Sequence, residues 1–289
     1  MYCKYVWIDG NFTLLEEENI AITNHSLHYA SSVFEGLMAY EGKVFRLDEH
    51  INRLVDSANT MYLHIAFSFD GVRDAILKLL DLNCCDQGSY YIRPLIWPDN
   101  YGFSILRKVK LPAHIAVMVT KHTPCGIEKS TKLSLSSWVK APNNSIPHSC
   151  KGSGNYMNSI LSKQEAFELG CDDALLLDYL DNVAEGASAN VFFITHSNEL
   201  VTPKTQHCLS GITRKAVLEI AAELNINAAE RDIHVSEISN FAGAFLTGTA
   251  IEITPIQSIF FPKENKSVTF EHSSIISTIH KEYKKLCTL

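Results

Sequence analysis

Long hydrophobic runs, paired cysteine motifs and clusters of basic residues are all missing from this sequence. No apolar stretch approaches the roughly 18 residues that a transmembrane helix needs. The N-terminal residues also lack the apolar block of a signal peptide. A net charge of −7 with no run of lysine or arginine argues against a nucleic-acid surface. We therefore expect a cytoplasmic protein that binds neither membranes nor nucleic acids.

The eight cysteines form no Cys-x-x-Cys pair and show no spacing typical of metal ligands. We interpret them as reduced thiols and expect no metal site. Cys150 stands beside Lys151, but nothing in the sequence supports a nucleophilic role for it. A structural role is the better hypothesis.

The chain has 289 residues, 46% of them hydrophobic and 20% charged, which suits one large globular domain or two medium-sized ones. Apolar periodicity predicts both strands and helices. The predicted strands are 5–13 (with a turn), 37–40 and 44–47 (a hairpin), 89–97, 115–120, 133–138, 174–178, 190–195, 244–247 and 251–259. The predicted helices begin near Asp48, Val72, Asn155, Ser210 and Ile276.

Residues 122–131 contain turn formers and no apolar period, so we place a domain linker there. The predicted fold class is mixed α/β (α+β), with two mixed domains joined by this linker. The smaller domain would comprise residues 1–121 and the larger one residues 132–289.

Lys151 stands among small residues, with Gly152 and Gly154 after it, at the entrance to a predicted helix. A lysine in an arbitrary Lys-Gly pair is usually a solvated loop residue. At a helix entrance it can instead be held in a pocket, where burial would lower the pKa of the amine and let it attack a carbonyl group. The surrounding motifs favour the pocket.

Two arginines are candidates for binding an anion. Arg53 lies off the apolar stripe of its predicted helix, so it is either a surface residue paired with Glu49 or Asp56, or a phosphate ligand. Arg93 shares a strand face with Tyr91. An arginine directed inward needs an anionic partner, which could be a substrate carboxylate or an ordinary Asp or Glu.

Glu185 is an isolated acid among small residues. It is either an exposed turn glutamate or a carboxylate that keeps a ring nitrogen protonated. Ser210 is a natural N-cap, so the first-turn N–H groups of Ile212 and Thr213 point outward as in phosphate sites, although most capped helices bind no anion. A lysine for imine formation, an acid for a ring nitrogen and these phosphate ligands together describe a pyridoxal phosphate site.

Eight motifs are spread along nearly the whole chain. They are His28-Tyr29-Ala30-Ser31-Ser32-Val33-Phe34-Glu35-Gly36, Glu49-His50-Ile51-Asn52-Arg53-Leu54, Tyr91-Ile92-Arg93-Pro94, Ser136-Ser137-Trp138 leading through Asn144-Ser145-Ile146-Pro147, Lys151-Gly152-Ser153-Gly154-Asn155-Tyr156, Glu185-Gly186-Ala187, Leu209-Ser210-Gly211-Ile212-Thr213-Arg214 and Thr247-Gly248-Thr249-Ala250-Ile251-Glu252-Ile253-Thr254-Pro255. Any one motif is weak, but their order and spacing are specific. Together they closely resemble the motifs of class IV (fold type IV) aminotransferases, and among these the branched-chain amino acid aminotransferases.

The resemblance implies a role for each matching residue. Lys151 would be the Schiff-base lysine and proton shuttle, Tyr156 the partner of the cofactor's phenolic oxygen, and Glu185 the partner of its pyridine nitrogen. The phosphate would lie on Arg53, Gly211, Ile212, Thr213 and Thr249. The substrate side would be lined by Tyr29, Phe34, Gly36, Tyr91, Arg93, Thr249 and Ala250. Tyr29 would belong to the site of a neighbouring subunit, which implies a homodimer or a larger homo-oligomer.

Three departures from the family pattern put the substrate in question. Met38 stands where branched-chain enzymes often carry an arginine. Pro124-Cys125-Gly126 occupies the region that supplies an aromatic residue in relatives. Ser188-Ala189 replaces the Gly-Glu of bacterial branched-chain enzymes.

The leading hypothesis is ping-pong transamination between branched-chain L-amino acids (leucine, isoleucine, valine) and 2-oxoglutarate. The same scaffold could instead serve an aminodeoxychorismate lyase, a D-amino acid aminotransferase or an (R)-amine aminotransferase. A non-enzymatic protein that only binds the cofactor is disfavoured because Lys151 and Glu185 are both present.

Overall fold

The computed structural model describes residues 2–100, 102–106, 112–271 and 273–288. The chain divides into two compact units. The first consists of Met1–Thr123, Cys150–Gly154 and Cys287–Leu289, and the second of Pro124–Ser149 and Asn155–Leu286. Met1 and Leu289, the outer limits of the two predicted domains, lie outside the described residues.

The first unit is built on a mixed sheet with eight strands in the described part of the chain. The strands are β1 (Tyr5–Ile8), β2 (Asn11–Leu14), β3 (Val33–Phe34), β4 (Leu37–Tyr40), β5 (Lys43–Val44), β6 (His64–Ile65), β7 (Ser89–Pro98) and β8 (Pro112–Lys121). The helices are α1 (His25–Tyr29), α2 (Leu47–Thr60) and α3 (Phe69–Leu82). The strand order is β2-β1-β8-β7-β4-β5, with β3 on β7 and β6 parallel to β8.

The core of the first unit lies between this sheet and helices α2 and α3. Leu54 of α2 packs in one apolar cluster with Ile76 and Leu79 of α3, as the predicted apolar stripes require. Strand β7 alternates, with Ile92 and Ile96 fully buried. Tyr91 and Arg93 therefore share the other face of β7, which confirms the prediction.

The start of α2 differs from the prediction. Arg46, with φ at 52°, occupies the N-cap position, and Asp48 lies in the first helical turn and is not the cap. The predicted strand 44–47 is also shorter in the structure. Strand β5 ends at Val44, and α2 begins at the buried Leu47. The apolar side chain of Leu47 serves the helix core rather than the sheet.

The second unit is also mixed, with nine strands in one sheet among the described residues. The strands are β9 (Thr131–Leu135), β10 (Asp173–Leu177), β11 (Val183–Gly186), β12 (Asn190–Ile194), β13 (Leu200–Thr202), β14 (Ala228–Glu230), β15 (Gly243–Gly248), β16 (Glu252–Phe261) and β17 (Lys266–Thr269). The helices are α4 (Tyr156–Glu168), α5 (Ile212–Glu223) and α6 (Ser274–Thr288). The order is β11-β10-β9-β16-β15-β12-β13-β14, with β17 on β16.

Strand β9 runs parallel to both β10 and β16, whereas β10–β11, β12–β15 and β15–β16 are antiparallel. This mixture confirms the predicted α/β class. Thr131, the last residue of the predicted linker, is the first residue of β9. None of the helices in the described part of the chain has the length and hydropathy that crossing a bilayer requires.

Candidate active site

The backbone of Lys151 is fastened to two elements of the first unit. Its carbonyl accepts a hydrogen bond from the N–H of Phe34 in β3 (3.1 Å), and Gly152 forms a bridge with Val33. Its own N–H donates to Oγ of Ser57 on α2 (3.0 Å). These contacts explain why Cys150–Gly154, a segment of the predicted larger domain 132–289, is grouped with the first unit.

The aromatic ring of Phe34 lies close to both of the cationic side chains that the sequence singled out. The amine of Lys151 is 5.3 Å from the ring centroid and the guanidinium of Arg93 is 4.4 Å from it. Both distances permit a cation–π interaction. Phe34 itself is buried, so the ring places both cations against a surface that excludes water.

Arg93 donates to the hydroxyl oxygen of Tyr91 from Nη2 (2.8 Å) and Nε (3.3 Å). Among the described residues, no carboxylate forms a salt bridge with it, so the alternative of an ordinary Asp or Glu partner is not supported. Gly36 lies directly against the same tyrosine, and a Cβ at this position would clash with the Tyr91 hydroxyl. Phe34, Gly36, Tyr91 and Arg93 are thus brought together as predicted substrate-side residues.

Arg53 is partly buried and binds Glu35 in a bidentate manner, with Nε 2.6 Å from Oε1 and Nη2 2.9 Å from Oε2. Glu49, one of the two acids named for it above, forms a salt bridge with Arg46. Arg53 lies on α2, and Glu35 lies fully buried between β3 and β4. The arginine neutralises the charge of this buried carboxylate.

Glu35 has a second partner in His50, whose Nδ1 is 2.8 Å from Oε2. Burial raises the pKa of Glu35, but the charge of Arg53 and the hydrogen bonds from His50 and Arg53 outweigh it and bring the pKa down to about 2. Burial lowers the pKa of His50, which therefore stays neutral and donates to the carboxylate. Glu35, His50 and Arg53 form one buried cluster that fixes the arginine.

Glu185 lies in β11 of the second unit and is buried, so the interpretation as an exposed turn residue is wrong. Its Oε1 accepts from the amine of Lys140 at 2.5 Å. Its Oε2 accepts from Nδ2 of Asn190 and from the N–H of Leu209, both at 3.3 Å. Three donors from three segments thus hold the carboxylate in one orientation.

Helix α5 begins at Ile212, and the N-cap is Gly211 rather than the predicted Ser210. Gly211 lies so close to the Asn190 side chain that a Cβ would clash with its carbonyl oxygen. Glycine has no side chain that could accept a hydrogen bond from the first turn, so within the described residues the cap leaves the N–H groups of Ile212 and Thr213 for another acceptor.

A buried hydroxyl group without a hydrogen-bond partner indicates that a polar ligand binds near the start of α5. Thr247 in β15 pairs in register with Asn190, the residue that contacts Gly211 and Glu185. Its side chain is buried, and Oγ1 has no hydrogen-bond partner among the described residues. Buried polar atoms are normally satisfied, so the orphan is consistent with a ligand, and the donor set there suits an anion.

The remaining predicted residues lie on three other elements. Thr249 and Ala250 form a half-buried turn after β15, and Tyr156 is the first residue of α4. Tyr29 is exposed at the end of α1, where its hydroxyl donates to the carbonyl of Phe103 (3.0 Å).

Sequence reasoning missed five residues: Glu35, His50, Ser57, Lys140 and Asn190. Glu35 and His50 lie in two of the family motifs, but sequence periodicity does not show which residues their side chains contact. Lys140 follows the Ser136-Ser137-Trp138 motif with no signal beyond its charge. Four of the five contact a residue that the sequence predicts to be in the site, and His50 contacts one of these four, Glu35.

Comparisons with known proteins agree with this geometry. The family described as Amino-transferase class IV matches residues 32–259. A probable branched-chain-amino-acid aminotransferase of Rickettsia typhi is 39% identical over 284 residues, which cover 98% of this chain and 96% of the relative. The branched-chain-amino-acid aminotransferase of Escherichia coli is 33% identical over 267 residues, covering 88% of this chain and 84% of the relative.

The solved structures show the same likeness. The branched-chain aminotransferase of the archaeon Thermoproteus uzoniensis with norvaline has a TM-score of 0.91 at 29% identity, covering 99% of this chain and 95% of its own. The Escherichia coli branched-chain amino acid aminotransferase has a TM-score of 0.90 at 30% identity, covering 98% and 94%. With the family match extending from Ser32 to Ile259, across the anchored lysine and the buried Glu185, the chain belongs to the class IV aminotransferases.

Proposed function

We propose that this protein catalyses pyridoxal-phosphate-dependent transamination between branched-chain L-amino acids (leucine, isoleucine, valine) and 2-oxoglutarate. The observation that carries the proposal is the 39% identity over 98% of the chain to a relative named for this activity, with the anchored Lys151 included. Structures similar to this one include a branched-chain aminotransferase of Thermobaculum terrenum in its pyridoxal phosphate form.

The residues present suit this cofactor. In the second unit, Glu185 offers a buried carboxylate for the ring nitrogen, and the start of α5 offers N–H groups for the phosphate, near the orphan Thr247 hydroxyl. In the first unit, Arg53 adds a fixed guanidinium for the phosphate and Lys151 adds the amine. Tyr156 would serve the phenolic oxygen, and Thr249 would be a further phosphate ligand.

When bound, pyridoxal phosphate supplies a reactive aldehyde and a ring that accepts the electron pair left at the substrate Cα. Lys151 is the group that moves the proton at Cα, and general acid–base catalysis of this kind is worth ~10²–10⁴-fold in rate. The contacts of its backbone with Phe34 and Ser57 fix the starting point of the side chain. Glu185 holds the proton on the ring nitrogen. Two half-reactions give ping-pong kinetics.

On the substrate side, Arg93 with Tyr91 would bind the carboxylate, and Phe34 with Gly36 would form an apolar wall. Thr249 and Ala250 would line the same site. Met38 is buried and pairs in register with Tyr91, so the strand beside Arg93 presents a neutral, apolar side chain. This surface suits the aliphatic side chains of leucine, isoleucine and valine.

A donor scan tests the proposal. Purified protein loaded with pyridoxal phosphate should be yellow, lose the colour with leucine, isoleucine or valine, and regain it with 2-oxoglutarate. D-alanine and 4-amino-4-deoxychorismate should leave the colour unchanged. Lys151→Ala should bind cofactor without turnover. Failure to form keto acids from all three branched-chain donors would contradict the proposal.

We propose further that the protein is a homodimer or larger homo-oligomer that uses the outer face of α4, with Tyr29 reaching the neighbouring subunit's site. Helix α4 turns the small Ser162 and Ala166 inward, both fully buried. Its large apolar residues point outward, with Met157, Ile160 and Phe167 exposed at 66%, 68% and 73%. An apolar face of this kind on a helix is typical of a protein interface.

Light scattering after gel filtration tests the assembly. Wild-type protein should elute as a dimer or larger, and the double variant Ile160→Ser with Phe167→Ser should shift toward monomer. Leu77→Ser, on the exposed side of α3, is the matched control and should leave the mass unchanged. A monomeric wild type would contradict this proposal. In the described part of the chain the cysteines are thiols and not disulfides, which supports our proposal of a cytoplasmic location.

A further inference from the structure

Lys140 forms a buried ion pair with the carboxylate that we assign to the cofactor's ring nitrogen. Its amine lies 2.5 Å from Oε1 of Glu185, and the two side chains are only 15% and 9% exposed. Its backbone N–H donates to the carbonyl of Leu177 at 2.8 Å, which ties this loop to the end of β10. The lysine is thus held in place from both its backbone and its side chain.

The groups around Lys140 keep it charged. Burial lowers the pKa of Lys140, but the adjoining Glu185 carboxylate outweighs it, with smaller contributions from Tyr156 and Cys208, and the net shift is upward. Burial raises the pKa of Cys208 to about 12, with the Glu185 charge adding to it, so this thiol stays neutral. The pair therefore consists of an ammonium and a carboxylate.

The two oxygens of Glu185 have different kinds of partners. Oε2 accepts from neutral donors, Asn190 and the Leu209 N–H, which orient the carboxylate without changing its charge. Oε1 accepts from the cation. A cation at this distance lowers the affinity of a carboxylate for a proton, whereas neutral amide donors do so more weakly.

We propose that Lys140 is a positioning residue whose ammonium, paired with Glu185, opposes transfer of the proton on the ring nitrogen of pyridoxal phosphate to this carboxylate, so that the proton stays on the nitrogen. Without the ammonium, the carboxylate in this water-poor site would take that proton, because a neutral hydrogen-bonded pair is favoured over an ion pair at low dielectric. The electron-accepting power of the ring depends on a protonated nitrogen. The inference rests on the proposed function.

The test uses the full-length protein loaded with pyridoxal phosphate labelled with nitrogen-15 in the ring. The nitrogen chemical shift, measured from pH 6 to 9, distinguishes a protonated ring nitrogen from a neutral one. Lys140→Met removes charge and hydrogen bond, Lys140→Gln keeps a donor without the charge, and Lys140→Arg keeps the charge. Lys163→Met is the matched control, because Lys163 pairs with Asp173 away from Glu185, and its side chain is 53% exposed.

In the wild type, Lys140→Arg and Lys163→Met, we expect the protonated signal. In Lys140→Met and Lys140→Gln we expect the ratio of protonated to neutral nitrogen to fall at least ~10-fold, which corresponds to about one unit in a protonation equilibrium. The rate of the half-reaction with leucine should fall by a similar factor. If Lys140 only oriented Glu185 through its hydrogen bond, Lys140→Gln would keep the protonated signal and the wild-type rate, which would contradict the inference.

Two results separate this inference from the proposed function. If Lys140→Met and Lys140→Gln keep the wild-type nitrogen signal while the wild type transaminates leucine, the inference is wrong and the function stands. If the wild type binds no pyridoxal phosphate, the proposed function is wrong. Should Lys140→Met fail to fold, Lys140→Gln, which retains a hydrogen-bond donor, decides the matter.

Discussion

Two buried carboxylates, one in each unit, are held by cations in different ways. Glu35 has both oxygens bound by Arg53 and a further bond from His50, with distances of 2.6–2.9 Å. Glu185 has one oxygen bound by Lys140 and the other held only by neutral donors at 3.3 Å. Glu35 thus has a cationic partner on both oxygens, whereas Glu185 has one on Oε1 alone.

The difference separates fixing a side chain from performing chemistry. A planar guanidinium in a bidentate pair has one geometry, which suits a phosphate ligand that must not move. A single ammonium acts as a point charge, which suits the adjustment of a neighbouring acid. We therefore expect changes at Glu35 to act mainly on stability and changes at Glu185 mainly on turnover.

The largest effect is expected for Glu35→Gln. Arg53 would remain buried beside an uncharged amide, and breaking a buried ion pair from one side destabilises a protein by about 4 kcal/mol. Urea denaturation measures the free energy of unfolding. Asp81→Asn, in the exposed pair with Lys78, is the control and should change it by less than about 1 kcal/mol. Equal changes in the free energy of unfolding for the two variants would contradict a special contribution of the buried Glu35–Arg53 pair.

The pH dependence of stability should show the same cluster. The pKa of Glu35 is about 2 in the folded protein, against 4.5 for the group in an unfolded chain. Ionised Glu35 therefore contributes about 3 kcal/mol to the free energy of unfolding above pH 4.5, and this contribution is lost as the pH falls toward 2. The lowered pKa of His50 adds a loss as pH falls below 6.5. Denaturation across this range checks both, and Glu35→Gln should flatten the acidic part of the profile.

Glu185→Gln should lower kcat by about 10²-fold, equal to about 2.7 kcal/mol in the barrier, because an amide does not hold a proton on the ring nitrogen. The measurement is steady-state transamination of leucine at saturating pyridoxal phosphate. Glu35→Gln under the same conditions should retain a kcat within a few-fold of wild type. A loss of kcat in Glu35→Gln as large as that in Glu185→Gln would break the comparison.

The smallest effect is expected for Arg53→Lys. The ammonium keeps the charge beside Glu35 but loses the bidentate geometry, which should destabilise the protein by about 1.5 kcal/mol. Cofactor titration followed by fluorescence should show weaker binding of pyridoxal phosphate and an unchanged affinity for pyridoxal, which lacks the phosphate. An equal loss for both ligands would contradict a role of Arg53 at the phosphate.

Much of the fold followed from local periodicity. Strand β7 and helix α3 match their predicted residues because alternation and helical spacing each report which side faces the core. The boundaries at Arg46 and Gly211 did not follow, because a turn's backbone conformation and its close contacts decide which residue caps a helix. Helix α4 shows a further limit, since its apolar stripe was visible in the sequence but its exposure was not.

The sequence by itself determined the family and the reaction class and predicted the lysine, because these depend on ordered motifs that are short strings of residue types. Only the tertiary structure showed which acidic side chain pairs with which basic one. Arg53 meets Glu35 across 18 residues of chain, and Lys140 meets Glu185 across 45. No periodic pattern joins positions that far apart, and an ion pair forms only where folding removes both partners from water and brings them within hydrogen-bond distance.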